Sequence, residues 1–389
     1  MSGQPQAQAD RLPSVDLVRG IAMVLMALDH TRDFFGVPAD PTNLARASAA
    51  LFMTRWITHF CAPTFFLLTG VGAGLSLRRR SVGDLSRFLF TRGLWLLVFE
   101  TVVMRCLAYQ FNVDYRVTML LVLWALGWSM IGLAGLVYLP MRVIAMFALV
   151  LIVGHNALDG VRLANPLWAV LHGPGFVVNT SRVVVFAAYP LVPWLGVTAL
   201  GFVLAGVYDL DAARRRQWLV RGGFAAIVAF VALRWLNVYG DPSRWAAQPS
   251  PLFTLLSFLN ATKYPPSLLF LLMTLGPVAL MLAAVERASP SLVRPIVIFG
   301  RVPLFYYAGH FFLLHLAAVG VALVRYGSAH WMFESPDLAR YPFTPPPGWG
   351  YALPVVYVTW ILVVRLMYPL STRYARLKAS GRSGWLSYF

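Results

Sequence analysis

The sequence is poor in charged residues and almost devoid of cysteine. Only 12% of its 389 residues are Asp, Glu, Lys or Arg, whereas about 25% is usual in soluble globular domains. Hydrophobic residues make up 59% of the chain, and the mean hydropathy is +0.68. This composition excludes a soluble globular protein and predicts a polytopic helical membrane protein.

Several site types are missing from the sequence. The two cysteines, Cys61 and Cys106, fall in apolar segments, so there is neither a disulfide framework nor a zinc-binding spacing. There is no Walker A motif, no GxGxxG fingerprint and no HExxH motif, and we expect no bound metal. The net charge of +17 is compatible with nucleic-acid binding. Basic residues also mark the cytoplasmic loops of membrane proteins, however, and we expect no nucleic-acid partner.

Ten apolar segments are long enough to cross a bilayer. The fifth is short, and the ninth is interrupted around Gly300 and Pro303. The predicted spans are 14–36, 51–77, 86–109, 116–139, 141–157, 183–207, 217–238, 264–285, 296–325 and 351–371. We expect a single all-α membrane domain over residues 1–389, with a polar amino-terminal tail at 1–12 and a basic carboxy-terminal tail at 372–389.

Basic residues concentrate in alternate loops. Arginines follow the second, fourth, sixth, eighth and tenth spans, whereas the intervening loops are longer and carry many of the acidic residues. The positive-inside rule then places both termini in the cytoplasm. The long loops around 160–180, 240–262 and 326–350 lie on the other side, where they could form a lid or a substrate vestibule.

The first predicted span carries ionisable groups at both ends. Asp16 and Arg19 lie near its start, and Asp29 and His30 near its end. A charge left in lipid costs about 2.5–3.5 kcal/mol, so such groups normally face protein or a wet cavity. Arg19 and His30 share one helical face and are roughly 16 Å apart along the axis. A cation near one surface and a proton-transfer group near the other suggest chemistry that reaches across the bilayer.

The second predicted span pairs a cation with an imidazole. Arg55 and His59 are spaced i, i+4 and therefore share a face. Pro63 follows four residues later, where its ring should kink the helix near the His59 carbonyl. We expect His59 at a depth similar to that of His30. A structural Arg–His pair that orders the loop is an equally good interpretation.

The ninth span contributes two more histidines. His310 and His315 are about 140° apart around the helix, so they cannot both face one small site. Gly309 permits close approach and favours His310, although each ring could also simply pack against neighbouring aromatic residues.

Two groups of polar residues stand at the span ends. Lys263 and Tyr264 open the eighth span on the outer side, where the lysine could bind an anionic acceptor or merely reach the interface. Arg87 and Arg92 follow a run of arginines on the inner side, which could grip phosphates. The same run also serves as the topology signal.

Several segments resemble a known family. Residues 11–22 (RLPSVDLVRGIA) and 61–76 (CAPTFFLLTGVGAGLS) resemble the start of the heparan-α-glucosaminide N-acetyltransferase family. The remainder resembles its bacterial branch in residues 92–95 (RGLW), 123–128 (LWALGW), 263–267 (KYPPS) and 299–307 (FGRVPLFYY). The spacing of Arg19 and His30 is also similar to the signature arginine and histidine of bacterial membrane O-acyltransferases.

The resemblance implies transmembrane acyl transfer. Family members take acetyl-CoA from the cytoplasm and acylate a sugar on the far side, which carries Arg19 over as an acyl-CoA contact and His30 as a catalytic histidine. The eukaryotic enzyme has a Trp-Asn-Gly after its catalytic histidine, which is missing here, and His59 stands where that branch has an Asp. The choice between His30 and His59, and the glucosamine substrate, therefore stay open.

The sequence favours an acyltransferase of the bacterial inner membrane. The phosphates of acetyl-CoA would bind Arg19, Arg87 and Arg92, and the thioester would lie near His30 and His59. One of these histidines would act as a general base or accept the acetyl group itself.

The remaining site residues would serve the acceptor. Asp29 would orient the catalytic imidazole, and Arg55, Lys263, Tyr264 and His310 would contact the substrate. Membrane lipids and a sugar or glycan acceptor are the expected partners, and a homodimer stays open.

Two other classes of function are compatible with the same residues. Intramembrane Asp, His and Arg also mark the ion pathways of proton-coupled transporters. That alternative predicts inverted repeats with matching broken helices, and one Gly/Pro-broken span is evident, near Gly300. A catalytically inert scaffold predicts instead that substitutions at Asp29 and His30 affect only folding.

Overall fold

A computed structural model describes residues 12–161, 163, 165–286, 290–340 and 342–380; for residues 290–292 only the backbone is described. Helices dominate this part of the chain, which confirms the predicted all-α class. The polar tail before Leu12 and the end of the basic tail, 381–389, lie outside the described residues. The larger helices are α1 (Pro13–Phe35), α2 (Ala49–Thr58), α3 (Cys61–Ser76), α4 (Val82–Val98, continued by a π-helix at Phe99–Tyr109), α5 (Val122–Leu136), α6 (Met141–Gly154), α7 (Pro166–Leu171), α8 (Leu191–Leu204), α9 (Ala212–Leu236), α10 (Pro251–Leu259), α11 (Leu268–Val285), α12 (Pro290–Arg301), α13 (Pro303–Tyr326) and α14 (Leu353–Ala379).

Seven helical segments of the described chain are long and apolar enough to cross a membrane. They are Ala49–Ser76, Met141–Leu158, Leu191–Asp209, Ala212–Leu236, Leu268–Val285, Pro303–Tyr326 and Leu353–Ala379. The other three predicted spans correspond to α1, to α4 with its π-helix, and to the 15-residue α5. α1 carries five charged residues along its 23-residue length. The chain is thus a multi-pass membrane protein, and the count of ten spans stays a prediction.

Two predicted spans begin as strands rather than helices. Residues 116–139 and 183–207 open with β1 (Val117–Leu120) and β3 (Val184–Ala187), which pair in parallel. Together with β2 (Gly175–Asn179), which runs antiparallel to β3, they form a three-stranded sheet in the order β1-β3-β2. A short apolar run rich in valine has the same hydrophobicity as a helix end, so periodicity alone does not distinguish the two.

The loops separate into two groups at opposite ends of the helical bundle. At one end, ion pairs join Arg78 to Asp209 and Arg215 to Glu286, each at 2.5 Å. We call this the basic end; the first residues of α1 and the last turn of α14 also lie there, around a shared groove. Both ends of the described chain therefore lie on one side, in keeping with the alternation of basic loops in the sequence.

The opposite end, here called the loop end, carries the long Pro- and Gly-rich connections. Hydrogen bonds join connections that are far apart in the sequence: Tyr351 N donates to Phe35 O at 2.7 Å, and Asn260 Nδ2 donates to Thr42 O at 3.0 Å. These contacts hold the mouth of the bundle together at the end of α1 that carries Asp29 and His30.

α1 is the central element of the bundle. It packs against α3, α12, α13 and α14, and most of its apolar residues are buried. Contact with α12 is particularly close, because a Cβ on Gly300 would lie 1.8 Å from the Asp16 carbonyl oxygen. Only glycine permits this backbone approach, which places the start of α13 directly beside α1.

Candidate active site

The start of α1 is tied to the α12–α13 break at the basic end. Arg19 Nη1 donates to Asp16 Oδ1 at 3.0 Å and to the Gly300 carbonyl oxygen at 3.1 Å. Arg301 reaches the other oxygen of Asp16 at 3.8 Å. The carboxylate of Asp16 therefore holds two arginines at one edge of the bundle.

A cavity of about 480 Å³ runs from this edge into the bundle. Four arginines line it: Arg19, Arg79, Arg92 and Arg301. Most of its remaining wall is apolar or aromatic, contributed by α1, α3, α4, α5 and α13, and includes Met23 and Tyr307. A cationic mouth leading to an apolar interior is suited to a ligand with phosphates at one end and an uncharged arm at the other.

Arg87, predicted as a phosphate contact, does not line this cavity. Its side chain is exposed on α4. Arg87 and Arg92 are five residues apart, which turns them about 140° from each other, so only one can face the bundle. Arg79 and Arg301 lie at the mouth instead, because the end of α3 and the α12–α13 break meet α1 there.

His30 and His310 form a direct pair at the loop-end side of Tyr307. His30 Nδ1 lies 2.7 Å from His310 Nε2, and the two rings are nearly parallel with centroids 5.1 Å apart. His30 also stacks on Phe311, at 4.0 Å between centroids, and meets the edge of Tyr307 at 6.2 Å. Tyr307 lines the basic-end cavity, so this ring separates that cavity from the histidine pair.

The hydrogen bonds of His310 fix the tautomers of both rings. His310 Nδ1 lies 2.8 Å from the Tyr306 carbonyl oxygen, which can only accept, so Nδ1 carries the hydrogen. In the neutral ring His310 Nε2 is then an acceptor, and His30 Nδ1–H must be the donor to it. His30 Nε2 is left with a lone pair, which is the form a general base or nucleophile requires.

Asp29 binds arginines rather than a histidine. One of its oxygens accepts from Arg32 at 2.9 Å, and the other accepts from Arg55. All three side chains are largely buried between α1 and α2. Among the described residues we find no hydrogen bond from Asp29 to His30, and His310 occupies the position of the orienting group that Asp29 was expected to fill.

His59 lies at a break in the second span. α2 ends at Thr58 and α3 begins at Cys61, as Pro63 predicted, because proline cannot donate to the carbonyl four residues before it. The His59 ring is 2% exposed and contacts Phe270 edge to face at 5.4 Å. Its Nδ1 has no hydrogen-bond partner among the described residues.

Lys263 and Tyr264 close the site on the loop side. The Lys263 ammonium lies 5.2 Å from the centre of the Tyr264 ring, and it is close enough to interact electrostatically with Asp29 and His30. Tyr264 Oη lies 3.3 Å from Tyr189 Oη. Tyr189 was not among the sequence candidates, since nothing local distinguishes it from the other tyrosines of this aromatic-rich chain.

His315 faces away from this cluster. Its Nδ1 donates to the Tyr109 carbonyl oxygen at 2.8 Å, and its ring stacks on Phe111. His310 and His315 therefore do not face the same site, as expected from their spacing in the sequence. No group of three or more His, Cys, Asp or Glu suited to a metal ion occurs within the described residues.

Sequence comparison adds the family. The model of the heparan-alpha-glucosaminide N-acetyltransferase catalytic domain matches residues 11–240, more than half of the chain. The chain belongs to this family. A comparison with curated protein sequences finds no significant match.

The match to the heparan-alpha-glucosaminide N-acetyltransferase family confirms the resemblance seen in the sequence and makes the chain a multi-pass membrane protein of an acetyltransferase family. The matched region spans α1 to α9 and includes Arg19, His30 and His59. His310 and Lys263 lie beyond it, although the fold brings both of them to the same cluster.

Proposed function

We propose that this protein transfers an acetyl group from cytoplasmic acetyl-CoA to a sugar or glycan acceptor on the far side of the bacterial inner membrane. The observation that carries the proposal is the alignment of two features along α1. An arginine-lined cavity opens at the basic end, and a histidine pair with an available lone pair lies beyond Tyr307, towards the loop end.

The basic-end cavity suits the donor. Arg19, Arg79, Arg92 and Arg301 would hold the phosphates of CoA, since guanidinium groups pair well with phosphate oxygens. The apolar wall between them and Tyr307 would take the uncharged arm. The thioester of the bound donor supplies an activated acetyl group, and the chain has to supply a base and exclude water.

His30 is the proposed base. Its Nε2 would accept the proton of the acceptor hydroxyl or amine while His310 accepts the hydrogen bond from Nδ1–H and steadies the resulting charge. Direct acetylation of Nε2 is the covalent variant of the same arrangement. His59 is the second candidate, because it is buried near Arg55 and Lys263, but no described residue orients its Nδ1.

Asp29 and Arg55 take a supporting part in this proposal. The carboxylate compensates Arg32 and Arg55 and thereby keeps their charges in place beside the histidine pair. Arg55 and Lys263 would in turn stabilise negative charge that develops on the reacting carbonyl oxygen or hold an acceptor oxygen.

The test is single-turnover transfer from labelled acetyl-CoA in proteoliposomes. We expect His30→Ala to slow transfer about 10²–10⁴-fold, the usual effect of removing a general base. His59→Ala reports on the second candidate, and His315→Ala is the matched control, since it removes a buried histidine of α13 outside the cluster. Full transfer by both His30→Ala and His59→Ala would eliminate this mechanism, and substrate uptake without acetyl-CoA would favour a transporter.

A further inference from the structure

A second cavity, of about 750 Å³, opens at the loop end. It is distinct from the basic-end cavity and lies between the segment after α6 and the Tyr264–Pro265 turn. The side chains that carry the argument are Asp159, Trp168, His172, Phe176 and Tyr264. None of the first four was a candidate in the sequence, where this region was only a long loop on the outer side.

The polar wall of this cavity is held by a chain of buried and partly buried hydrogen bonds. Leu268 N donates to Asn156 Oδ1 at 2.8 Å, and Asn156 Nδ2 donates to Asp159 Oδ2 at 2.8 Å. The other oxygen of Asp159 accepts from His172 Nε2 at 3.2 Å. This chain starts at the first turn of α11, so the wall is anchored to a helix of the bundle rather than to the loop alone.

His172 carries unused hydrogen-bonding capacity. The residue is 3% exposed, and its Nδ1 has no hydrogen-bond partner among the described residues. Burial lowers the pKa of His172 against the opposing effect of Asp159, so the ring is neutral near pH 7. With Nε2–H donating to Asp159, Nδ1 must be an acceptor; it lies just beneath the cavity surface, and a ligand hydroxyl is a donor that would complement it.

An aromatic surface lies beside this polar wall. The Trp168 and His172 rings are 4.9 Å apart, and Phe176 lines the same cavity. Asn165 caps the short α7 helix by accepting from Trp168 N at 2.7 Å, which fixes the start of the segment that carries the indole. An indole face next to buried hydrogen-bonding groups suits a ring that is apolar on its face and polar at its rim.

Tyr264 connects this cavity to the reaction centre. It lines the loop-end cavity on one side, and on the other it contacts Tyr189 and the Lys263 ammonium. Lys263 in turn is within electrostatic range of His30. A molecule held against Trp168 is therefore separated from the proposed base by the Lys263–Tyr264 turn.

We infer that the loop-end cavity binds a pyranose unit of the acceptor, with the sugar face on Trp168 and a hydroxyl donating to His172. This inference rests on the proposed acetyl transfer for its place in the reaction, but binding itself can be measured without it. Trp168 and His172 are binding residues in this assignment, and the chemistry stays with the His30 cluster.

The experiment uses the full chain in lipid nanodiscs and the methyl glycosides of glucose, galactose, mannose and glucosamine as probes. Saturation-transfer NMR measures contact with the ring protons and the affinity. We expect at least one glycoside to bind, Trp168→Ala to weaken it by about tenfold, and Trp168→Phe to keep most of the affinity. Trp218→Ala is the matched control, because Trp218 is a 61% exposed tryptophan of α9 near the basic end.

Transfer kinetics separate the two proposals. In the acetyl transfer assay, Trp168→Ala and His172→Phe should raise KM for the acceptor about tenfold, with kcat and the KM for acetyl-CoA unchanged. Unchanged acceptor KM in both variants, or no binding of any probe to the wild-type chain, would overturn the sugar site. Sugar binding that depends on Trp168 without any acetyl transfer would instead overturn the proposed function and leave the site standing.

Discussion

His310 fixes the tautomer of His30, the ring it contacts. Because the Tyr306 carbonyl oxygen fixes its Nδ1–H, His310 can only accept from His30, and the lone pair of His30 then lies on Nε2. A carboxylate performs the same orienting task in many histidine sites. Here an uncharged ring does it, which avoids placing an additional charge in the membrane interior.

Substitution of His310 tests this role. His310→Gln keeps an amide oxygen that can accept from His30 Nδ1–H, whereas His310→Leu removes the acceptor. We expect His310→Leu to lower kcat by about 10–100-fold, as is typical for orienting partners, and His310→Gln to retain most of the rate. The readout is steady-state acetyl transfer, with His315→Leu as the control for loss of a buried histidine from α13. Equal losses in the Leu and Gln variants would contradict the tautomer argument.

Asp29 should matter first for stability. Removal of its charge in Asp29→Asn leaves the buried Arg55 without its carboxylate partner, whereas Arg32 keeps Asp33 at 2.7 Å, and breaking a buried pair typically costs about 3–5 kcal/mol. Adding Arg55→Gln to Asp29→Asn should restore part of that loss, which thermal unfolding in detergent would show. If Asp29→Asn were as stable as the wild type yet inactive, the carboxylate would belong to the chemistry instead.

The positions of individual residues could be predicted from the sequence where they depend on local helical spacing. Arg19 and His30 lie on one helical face, and Arg19 does reach the basic-end cavity. The His30–His310 hydrogen bond joins residues 280 positions apart, and no local sequence pattern predicts such a contact. Arg79 lines the cavity and the predicted Arg87 does not, because the rotation of α4 against α1 depends on packing, which the spacing of arginines does not reveal.

At the scale of the helices, two glycines of α3 differ in what surrounds the position of the absent Cβ. A Cβ on Gly70 would lie 2.0 Å from the Thr198 carbonyl oxygen of α8, whereas a Cβ on Gly72 would meet nothing within 4 Å. We therefore expect Gly70→Ala to lower the thermal unfolding temperature clearly and Gly72→Ala to leave it almost unchanged. Similar unfolding temperatures for the two variants would show that α3 and α8 can move apart at little cost.

The loop after the π-helix is held by Asp114. It accepts from Arg116 Nε at 3.0 Å and from both Ser335 N and Ser335 Oγ, so it joins two distant loops. Burial alone would raise the pKa of Asp114, but these hydrogen bonds lower it to about 2. Its contribution to stability is therefore complete above the unfolded value of about 4 and is lost as the pH falls towards 2.

This linkage can be measured as thermal unfolding between about pH 5 and pH 3. The wild type should lose stability faster than Asp114→Asn over this interval, because the amide cannot take up the proton. Parallel curves for the two proteins would show that Asp114 does not link the loops in solution.

Element boundaries were predictable where proline or a capping residue sets them. Pro63 predicted the break at His59, and Ser267 opens α11 by accepting from Phe270 N at 3.0 Å. The strand β1 is not predictable from local pattern, because its partner β3 is distant in sequence. The start of α5 is likewise set from afar, by the Glu100 carboxylate, which accepts from Leu121 N at 2.8 Å.

At the scale of the whole molecule, the two cavities would hold the two substrates at opposite ends of the bundle. The donor would enter from the basic end and the sugar from the loop end, and both would stop at the layer that contains Tyr307, His30 and Tyr264. Such an arrangement would need no alternating access, because neither substrate would cross the layer; only the acetyl group would. A transporter would instead have to open this layer to its cargo.

Gly72 allows the donor side to be blocked without disturbing the fold. It lines the basic-end cavity, and a side chain there would project into open space. Gly72→Phe should therefore fill the cavity and weaken acetyl-CoA binding by more than about tenfold, measured by calorimetry in nanodiscs. Gly320→Phe is the matched control, since Gly320 also has nothing within 4 Å but lies exposed on α13, outside either cavity.

The same variant distinguishes the two ends of the molecule. Because the loop-end cavity shares no wall with Gly72, glycoside binding should persist in Gly72→Phe while acetyl transfer stops. Loss of both activities would mean that the variant has unfolded or that the ends are conformationally coupled, and the unfolding temperature tells these apart. Unchanged acetyl-CoA affinity in a folded Gly72→Phe protein would show that the donor takes another path, and the arginine-lined cavity would then lose its role in the reaction.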